Sequence, residues 1–243
     1  MNYYYITGVS KGIGKALCDL LLTHENNTVI GISRSQTIHH YRYTHIFADL
    51  SEMSVLENIS LQNFTDAESI TFINNAGDIG NIKQIGNNDA KSIAQNIFIN
   101  LTVAAIFCNY FINKYADINV PRLIINISSG AGKSAIDGWA TYCAAKAGID
   151  ILSNVIATEQ ALIKSGIKIF SISPGVVDTD MQKAIRNADL KEFSRLNDFI
   201  DYKENSILQT PETVAKKLEY LIKHAHQFND VIFALKDINV DLE

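Results

Sequence analysis

Apolar residues in this chain follow two rhythms. Short near-continuous runs rich in Val, Ile, Tyr and Phe, bounded by glycine or small polar residues, alternate with longer stretches whose apolar positions recur at helical spacing. The runs Tyr3–Thr7, Thr28–Ile32, His45–Ala48, Ser69–Ile73, Leu123–Ile127, Ile167–Ile172 and Val231–Leu235 predict strands. Helices are predicted after Gly14, where Ala16, Leu17, Leu20 and Leu21 share a face, over Ser51–Ile59 with Ser51 as cap, and over Ala90–Tyr115, Thr141–Ser165 and Pro211–His224. Continuous apolar strands separated by helices predict an α/β fold around a parallel sheet. Residues 176–210 break the rhythm: Met181, Ile185, Phe193, Leu196 and Phe199 stand among many charges, which reads as a segment covering an active site or as an extra amphipathic helix pair.

The first strand leads into Gly8-Val-Ser10-Lys11-Gly12-Ile13-Gly14 and then a helix. Glycines there let the backbone approach a pyrophosphate, and the exposed N–H groups of a helix start favour the anion. By itself the spacing is a weak signal; its place after the first strand strengthens it. The fold expected is therefore a single Rossmann-type doubly wound parallel sheet with helices on both faces, one domain over 1–243. Where an NAD-binding unit carries an acid, about 20 residues beyond the glycines, this chain has Ser33-Arg34-Ser35. An arginine suits a 2′-phosphate that a carboxylate would repel, so NADP(H) is the expected cofactor, and Lys11 offers a second positive charge.

Composition narrows the partners. With a net charge of −5 and dispersed basic residues, the chain has no electrostatic footprint for nucleic acid or an anionic membrane. No run is expected to reach the roughly 20 apolar residues of a membrane span, and the N-terminus leaves no room for a signal peptide before the glycine motif. Cys18, Cys108 and Cys143 are far apart, and the histidines are scattered, so neither a disulfide framework nor a metal site is expected. The expected compartment is the cytoplasm.

The richest stretch is Ser128 to Gly148. If Leu123–Ile127 is a buried strand, Ser129 lies at its end, while Tyr142 and Lys146, four apart on a helix, point the same way. A cation beside a phenol lowers a pKa that starts near ~10, which would make Tyr142 a usable acid. A lone Tyr-x-x-x-Lys reads equally as a core tyrosine beside a solvated lysine. Asn100, among Ile97, Phe98, Ile99, Leu101 and Val103, reads from its surroundings as a satisfied core amide. The turns Asn74-Asn75-Ala76-Gly77 and Ser173-Pro174-Gly175 close two more strands at the edge where such sheets bind ligands.

Taken in order, Thr7-Gly-Val-Ser-Lys-Gly-Ile-Gly14, Asn74-Asn-Ala-Gly77, Asn100, Ser129, Tyr142-x-x-x-Lys146 and Ser173-Pro-Gly175 resemble the motifs of the short-chain dehydrogenase/reductases over almost the whole chain. Ser129, not Ser128, stands at the family's distance before the tyrosine. The resemblance implies that Tyr142 gives a proton to a carbonyl oxygen held by Ser129. It further implies that Lys146 binds the nicotinamide ribose and lowers the phenol pKa, and that Asn100 anchors a water. Asp49 and Leu50 would border the adenine, Asn75, Ala76 and Gly77 the adenosine ribose, and Pro174, Gly175, Val177 and Thr179 the nicotinamide. Gly138-Trp139-Ala-Thr-Tyr142-Cys143 and Pro174-Gly-Val-Val-Asp-Thr-Asp-Met-Gln182 are similar to the sepiapterin reductase and bacterial (S)-benzoin-forming benzil reductase group of that family. Trp139 and Met181 then become candidate pocket walls, and the implied substrate is a bulky 1,2-dicarbonyl. A sepiapterin-type reductase, a 3-oxoacyl thioester reductase and a non-catalytic NADP(H)-sensing regulator are the alternatives. The group's C-terminal pterin-holding acid is not reproduced by Phe233-Ala-Leu-Lys236, although Asp237 is near. The ending Asn239-Val-Asp-Leu-Glu243 lacks the glycine-rich tail of many tetrameric relatives, so a homodimer through helices near 95–115 and 145–164 is expected, with a tetramer as the alternative.

Overall fold

The structure, a computed structural model, describes residues 1–238. Seven strands, β1 Asn2–Thr7, β2 Asn27–Ser33, β3 Tyr43–Phe47, β4 Ser69–Asn74, β5 Arg122–Ile127, β6 Ile167–Ser173 and β7 Ile232–Ala234, form one sheet in the order β3-β2-β1-β4-β5-β6-β7. All neighbouring pairs are parallel. Successive side chains leave opposite faces, and both faces are apolar. Across one face the register lines up Ile30, Tyr5, Phe72, Ile124 and Ile169. They pack beneath Phe107, Phe111 and Tyr115 of α4 (Val103–Tyr115) and Ile156 of α5 (Ala140–Leu162). Across the other, Ile6, Ile73, Ile125 and Phe170 lie in a row. These meet Leu17 and Leu21 of α1 (Gly12–Leu22) and Leu218 and Leu221 of α8 (Pro211–Lys223). Each such side chain, fully buried, contributes about 1.5–3 kcal/mol, so the two layers supply most of the driving force.

Helical stretches depart from the sequence reading in two places. In place of a helix over 51–59 capped by Ser51, only α2, Met53–Leu56, forms. The carboxylate of Asp49 accepts from both the backbone N–H (3.0 Å) and the hydroxyl (2.7 Å) of Ser51, and this turn competes with the cap. The stretch 90–115 is not one α-helix. α3 (Ala90–Ile97) and α4 are joined by a π-helical turn, Phe98–Thr102, that contains Asn100. By length and composition this run would suffice to cross a bilayer, contrary to expectation, yet Phe107, Phe111 and Tyr115 are fully buried against the sheet.

Residues 176–210 form α6 (Asp180–Arg186) and α7 (Leu196–Glu204). They cap a third apolar cluster of Ile79, Ala131, Trp139, Tyr142, Ile185, Phe193 and Phe199. β1 and β4 are neighbours although the chain passes through β2 and β3 between them. That reversal opens a crevice at the C-terminal ends of the strands, where doubly wound sheets take their ligands. The last predicted feature, the ending Asn239–Glu243, lies outside the described residues.

Candidate active site

At the end of β1 the chain turns through Gly8 at φ +72°, a left-handed conformation that side chains resist. A Cβ on Gly14 would run into the carbonyl oxygen of Gly8 and come within 2.5 Å of Asn75 Nδ2. The turn is locked from β4: Thr7 Oγ1 accepts from the N–H groups of Asn75 (3.0 Å) and Ala76 (2.9 Å). In return, Asn75 Nδ2 donates to the carbonyls of Thr7 (2.9 Å) and Gly8 (3.1 Å). Asn75 therefore turns its amide into the glycine loop and shapes the crevice from behind. α1 starts with no side-chain cap and no acidic residue in its first turn, so its free N–H groups face the crevice. Bare backbone, tight glycines and an uncapped helix start fit a dinucleotide pyrophosphate. Ser10 accepts from Thr37 Oγ1 at 3.2 Å, which ties this loop to the segment after β2, and Ile13 packs on the α1 core.

The adenine side follows from β2 and β3. Arg34 is exposed just beyond β2 and makes no ion pair or hydrogen bond among the described residues. Its charge, after the hydrogen bonds from Ser51, helps hold Asp49 below the usual carboxylate range. Ser35 accepts from Ser33 Oγ at 3.0 Å, and Leu50 is buried in the core. Lys11, in the glycine loop, pairs its ammonium with Asp180 of α6 at 2.6 Å, and both are exposed.

The two serines after β5 separate cleanly. Ser128 is buried and donates to the carbonyl of Lys146 at 3.4 Å, whereas the half-buried Ser129 has its hydroxyl near Ala131 N–H (3.2 Å) and within hydrogen-bonding influence of Tyr142. Tyr142 is buried, with Met181 Sδ 4.0 Å from its hydroxyl. Burial pushes its pKa up to about 12; the nearby Ser129 hydroxyl opposes this, and Cys143 and Asp78 add to it. The ammonium of Lys146 donates to the carbonyl of Ile127 at 2.9 Å and lies 5.6 Å from the ring centroid of Tyr142. Burial pushes Lys146 itself down to about 8, against the field of Asp150.

Asn100 is fully buried, as its surroundings predicted, but it is committed to one loop. Nδ2 donates to the carbonyls of Asp78 (2.7 Å) and Asn96 (2.9 Å), and Oδ1 accepts from Asp78 N–H at 3.2 Å. A Cβ on Gly77 would lie 2.9 Å from Asn100 Oδ1 and 3.5 Å from Lys146 Nζ, so the glycine keeps the space between these two groups open.

Over this centre sits the aromatic cluster. Trp139 stacks on Phe193 at 5.3 Å and 13°, and meets Phe199 (5.3 Å) and Tyr142 (5.8 Å) edge-on. Trp139 Nε1 and Gln182 Nε2 are buried donors without an acceptor among the described residues. Pro174 and Val177 are buried and Gly175 has φ +86°. Gln209 closes the segment on itself, donating to Val176 (3.0 Å) and accepting from Asp178 (2.9 Å). Thr179 Cγ2 lies 3.4 Å from where a Cβ of Gly12 would be, which brings the segment against the glycine loop. Thr37 and Gln209 are participants that sequence reasoning assigned no role. Thr7 entered it only as the first residue of the glycine motif, and Phe193 only as one apolar residue of the 176–210 segment.

A crevice at the switch point, a pyrophosphate cradle and a hydroxyl–phenol–ammonium set under an apolar cover define a nicotinamide-dependent oxidoreductase. The short chain dehydrogenase profile matches residues 2–190, and the chain belongs to that family. It is 37% identical over 236 residues to a benzil reductase ((S)-benzoin forming) of Bacillus cereus, covering 92% of this chain and 94% of that protein. To a benzil reductase ((S)-benzoin forming) of Bacillus subtilis (strain 168) it is 31% identical over 243 residues, covering 98% and 99%. The solved short-chain dehydrogenase/reductase YIR035C of Saccharomyces cerevisiae superposes with a TM-score of 0.84 at 24% identity, over 98% of this chain and 97% of that one.

Proposed function

We propose that this protein is a single-domain, NADPH-dependent carbonyl reductase that converts one keto group of a benzil-like 1,2-dicarbonyl to a hydroxyketone. The observation that carries the reading is Tyr142, a neutral buried phenol beside Ser129 under the stack of Trp139, Phe193 and Phe199. A bound reduced nicotinamide supplies the hydride. Ser129 and Tyr142 donate hydrogen bonds to the carbonyl oxygen, and Tyr142 releases its proton as negative charge develops there. Lys146 binds the nicotinamide ribose and supplies positive charge, and Asn100 holds the Asp78 loop beside it. Arg34 takes the 2′-phosphate, with Lys11 exchanging Asp180 for it. The aromatic stack accepts a phenyl or other bulky group. The free donors Trp139 Nε1 and Gln182 Nε2 suit the second oxygen of a dicarbonyl.

Exposed Ile151, Val155 and Leu162 on α5 support a homodimer through α4 and α5, and the free cysteines suit the cytoplasm. Pterin reduction is less well supported. Asp237 is exposed between Leu235 and Ile238, which pack with α1 and α8, whereas Trp139 and Tyr142 belong to the other cluster. A sensor without chemistry has no need of Ser129, Tyr142 and Lys146 together.

The test is NADPH oxidation by the pure protein with benzil, sepiapterin and a 3-oxoacyl thioester side by side. Benzil is expected to be turned over fastest, and no turnover of any of the three defeats the reading. Arg34→Asp is expected to weaken NADPH by about 1.5–3 kcal/mol and spare NADH, as read by titration. Equal losses for both nucleotides would place the 2′-phosphate elsewhere.

A further inference from the structure

We propose that Asp150 is a positioning residue whose carboxylate keeps Lys146 charged and anchors α5 to the sheet; this rests on the reading of Lys146 given above. Tyr142, Lys146, Asp150 and Ser153 follow one stripe of α5, the stripe that faces the sheet. A helix of a doubly wound fold is expected to bury an apolar stripe there. Instead Lys146 is 4% exposed, Asp150 7% and Ser153 0%. Asp150 Oδ1 accepts from the buried hydroxyl of Ser171 on β6 at 2.6 Å. Next to it, Asn126, the register partner of Ser171, donates to Ser153 Oγ at 2.9 Å and accepts from Asn74 Nδ2 at 2.7 Å. This polar seam fixes the height of α5 over β5 and β6.

Among the described residues the carboxyl group of Asp150 has Ser171 as its side-chain partner and no cation at ion-pair distance. A carboxylate buried there is better tolerated with a positive charge in range than without one. One turn away on the same stripe, with Cβ atoms about 5–6 Å apart by helix geometry, is Lys146. The groups facing Lys146 are Tyr142 and Asp150 on α5, the carbonyl of Ile127 on β5 and the loop of Gly77 and Asp78 after β4. Asp78 acts on Tyr142, while the field that raises Lys146 against its burial comes from Asp150. Ser171 holds the carboxyl group in place, and the Lys146 ammonium it acts on is fixed by the carbonyl of Ile127.

The experiment compares urea unfolding of cofactor-free wild type, Asp150→Asn, Lys146→Met and the double variant at about pH 6.5 and about pH 9.5, on either side of the Lys146 value of about 8. Loss of the carboxylate is expected to destabilise more at the lower pH, where Lys146 is charged, and to show no such pH dependence in the Lys146→Met background. In NADPH binding and kcat/KM, Asp150→Asn is expected to move the alkaline limb down by about one pH unit, with the loss recovered toward lower pH and reversed by Asp150→Glu. Ser171→Ala, which keeps the charge, is expected to lower stability without moving the limb. If Asp150→Asn alone does not fold, the double variant is expected to fold, and failure of both overturns the proposal. So does an unmoved limb with pH-independent destabilisation. Wild-type turnover by Lys146→Met would instead defeat the reading of Lys146 itself.

Discussion

The two walls of the crevice are built on opposite plans. On the β1–β4 wall the chemistry is backbone: Thr7 and Asn75 consume each other's hydrogen-bonding groups, and the glycines leave nothing to adjust. The wall formed by residues 176–210 is made of side chains. With Trp139, which it covers, it holds two buried donors without an acceptor among the described residues, and it meets the body through exposed partners: Lys11 with Asp180, Asn87 with Glu192 and Ser194 with Asp137. Exposed contacts of this kind contribute little, whereas a closed network of partly buried ones resists change. A wall fixed by backbone serves a ligand common to a whole family. The adjustable wall serves the ligand that distinguishes its members.

Substitutions on each side sharpen that contrast. Between the walls, Tyr142→Phe is expected to lower turnover by about 10²–10⁴-fold while NADPH binding is kept; unchanged turnover would mean that the proton comes from another group. On the side-chain wall, Phe193→Ala removes a fully buried ring from the Trp139 stack and is expected to cost about 3–5 kcal/mol in unfolding experiments. KM for a bulky diketone should rise with it, with NADPH affinity unaltered. On the backbone wall, Gly14→Ala forces a Cβ onto Gly8 and Asn75 and is expected to cost about 1–3 kcal/mol. Here cofactor affinity falls, measured by fluorescence titration, and the preference among carbonyl substrates stays. The smallest effect is expected from Asp180→Asn: releasing Lys11 should tighten NADPH by no more than about fivefold and leave NADH unchanged. If Gly14→Ala altered substrate preference, or Phe193→Ala altered nucleotide affinity, the division between the walls would not hold.

That division also explains what the sequence made readable. Strands buried on both faces announce themselves as apolar runs, so the parallel sheet was legible, as was the glycine turn, whose requirements are local. Ser129, Tyr142 and Lys146 were legible because one strand end and one helix turn bring them together. Other features depend on distant partners. The partner that Lys11 pairs with, Asp180, lies 169 residues away and leaves no local sign. Ser51 looked like a helix cap until the Asp49 turn captured it, and the Phe98–Thr102 π-turn left no mark in an apolar run. The phenol was expected to be lowered by its lysine neighbour. Burial, which no local pattern reports, pushes both groups toward their neutral forms.

The most direct measurement is a paired assay of wild type and Tyr142→Phe with NADPH and benzil, in which cofactor consumption and chirally resolved product are followed together. One hydroxyketone formed for each NADPH oxidised by the wild type, and almost none by the variant despite normal NADPH binding, is the predicted result. Equal product from both proteins, or turnover of a 3-oxoacyl thioester with none of benzil, would contradict it.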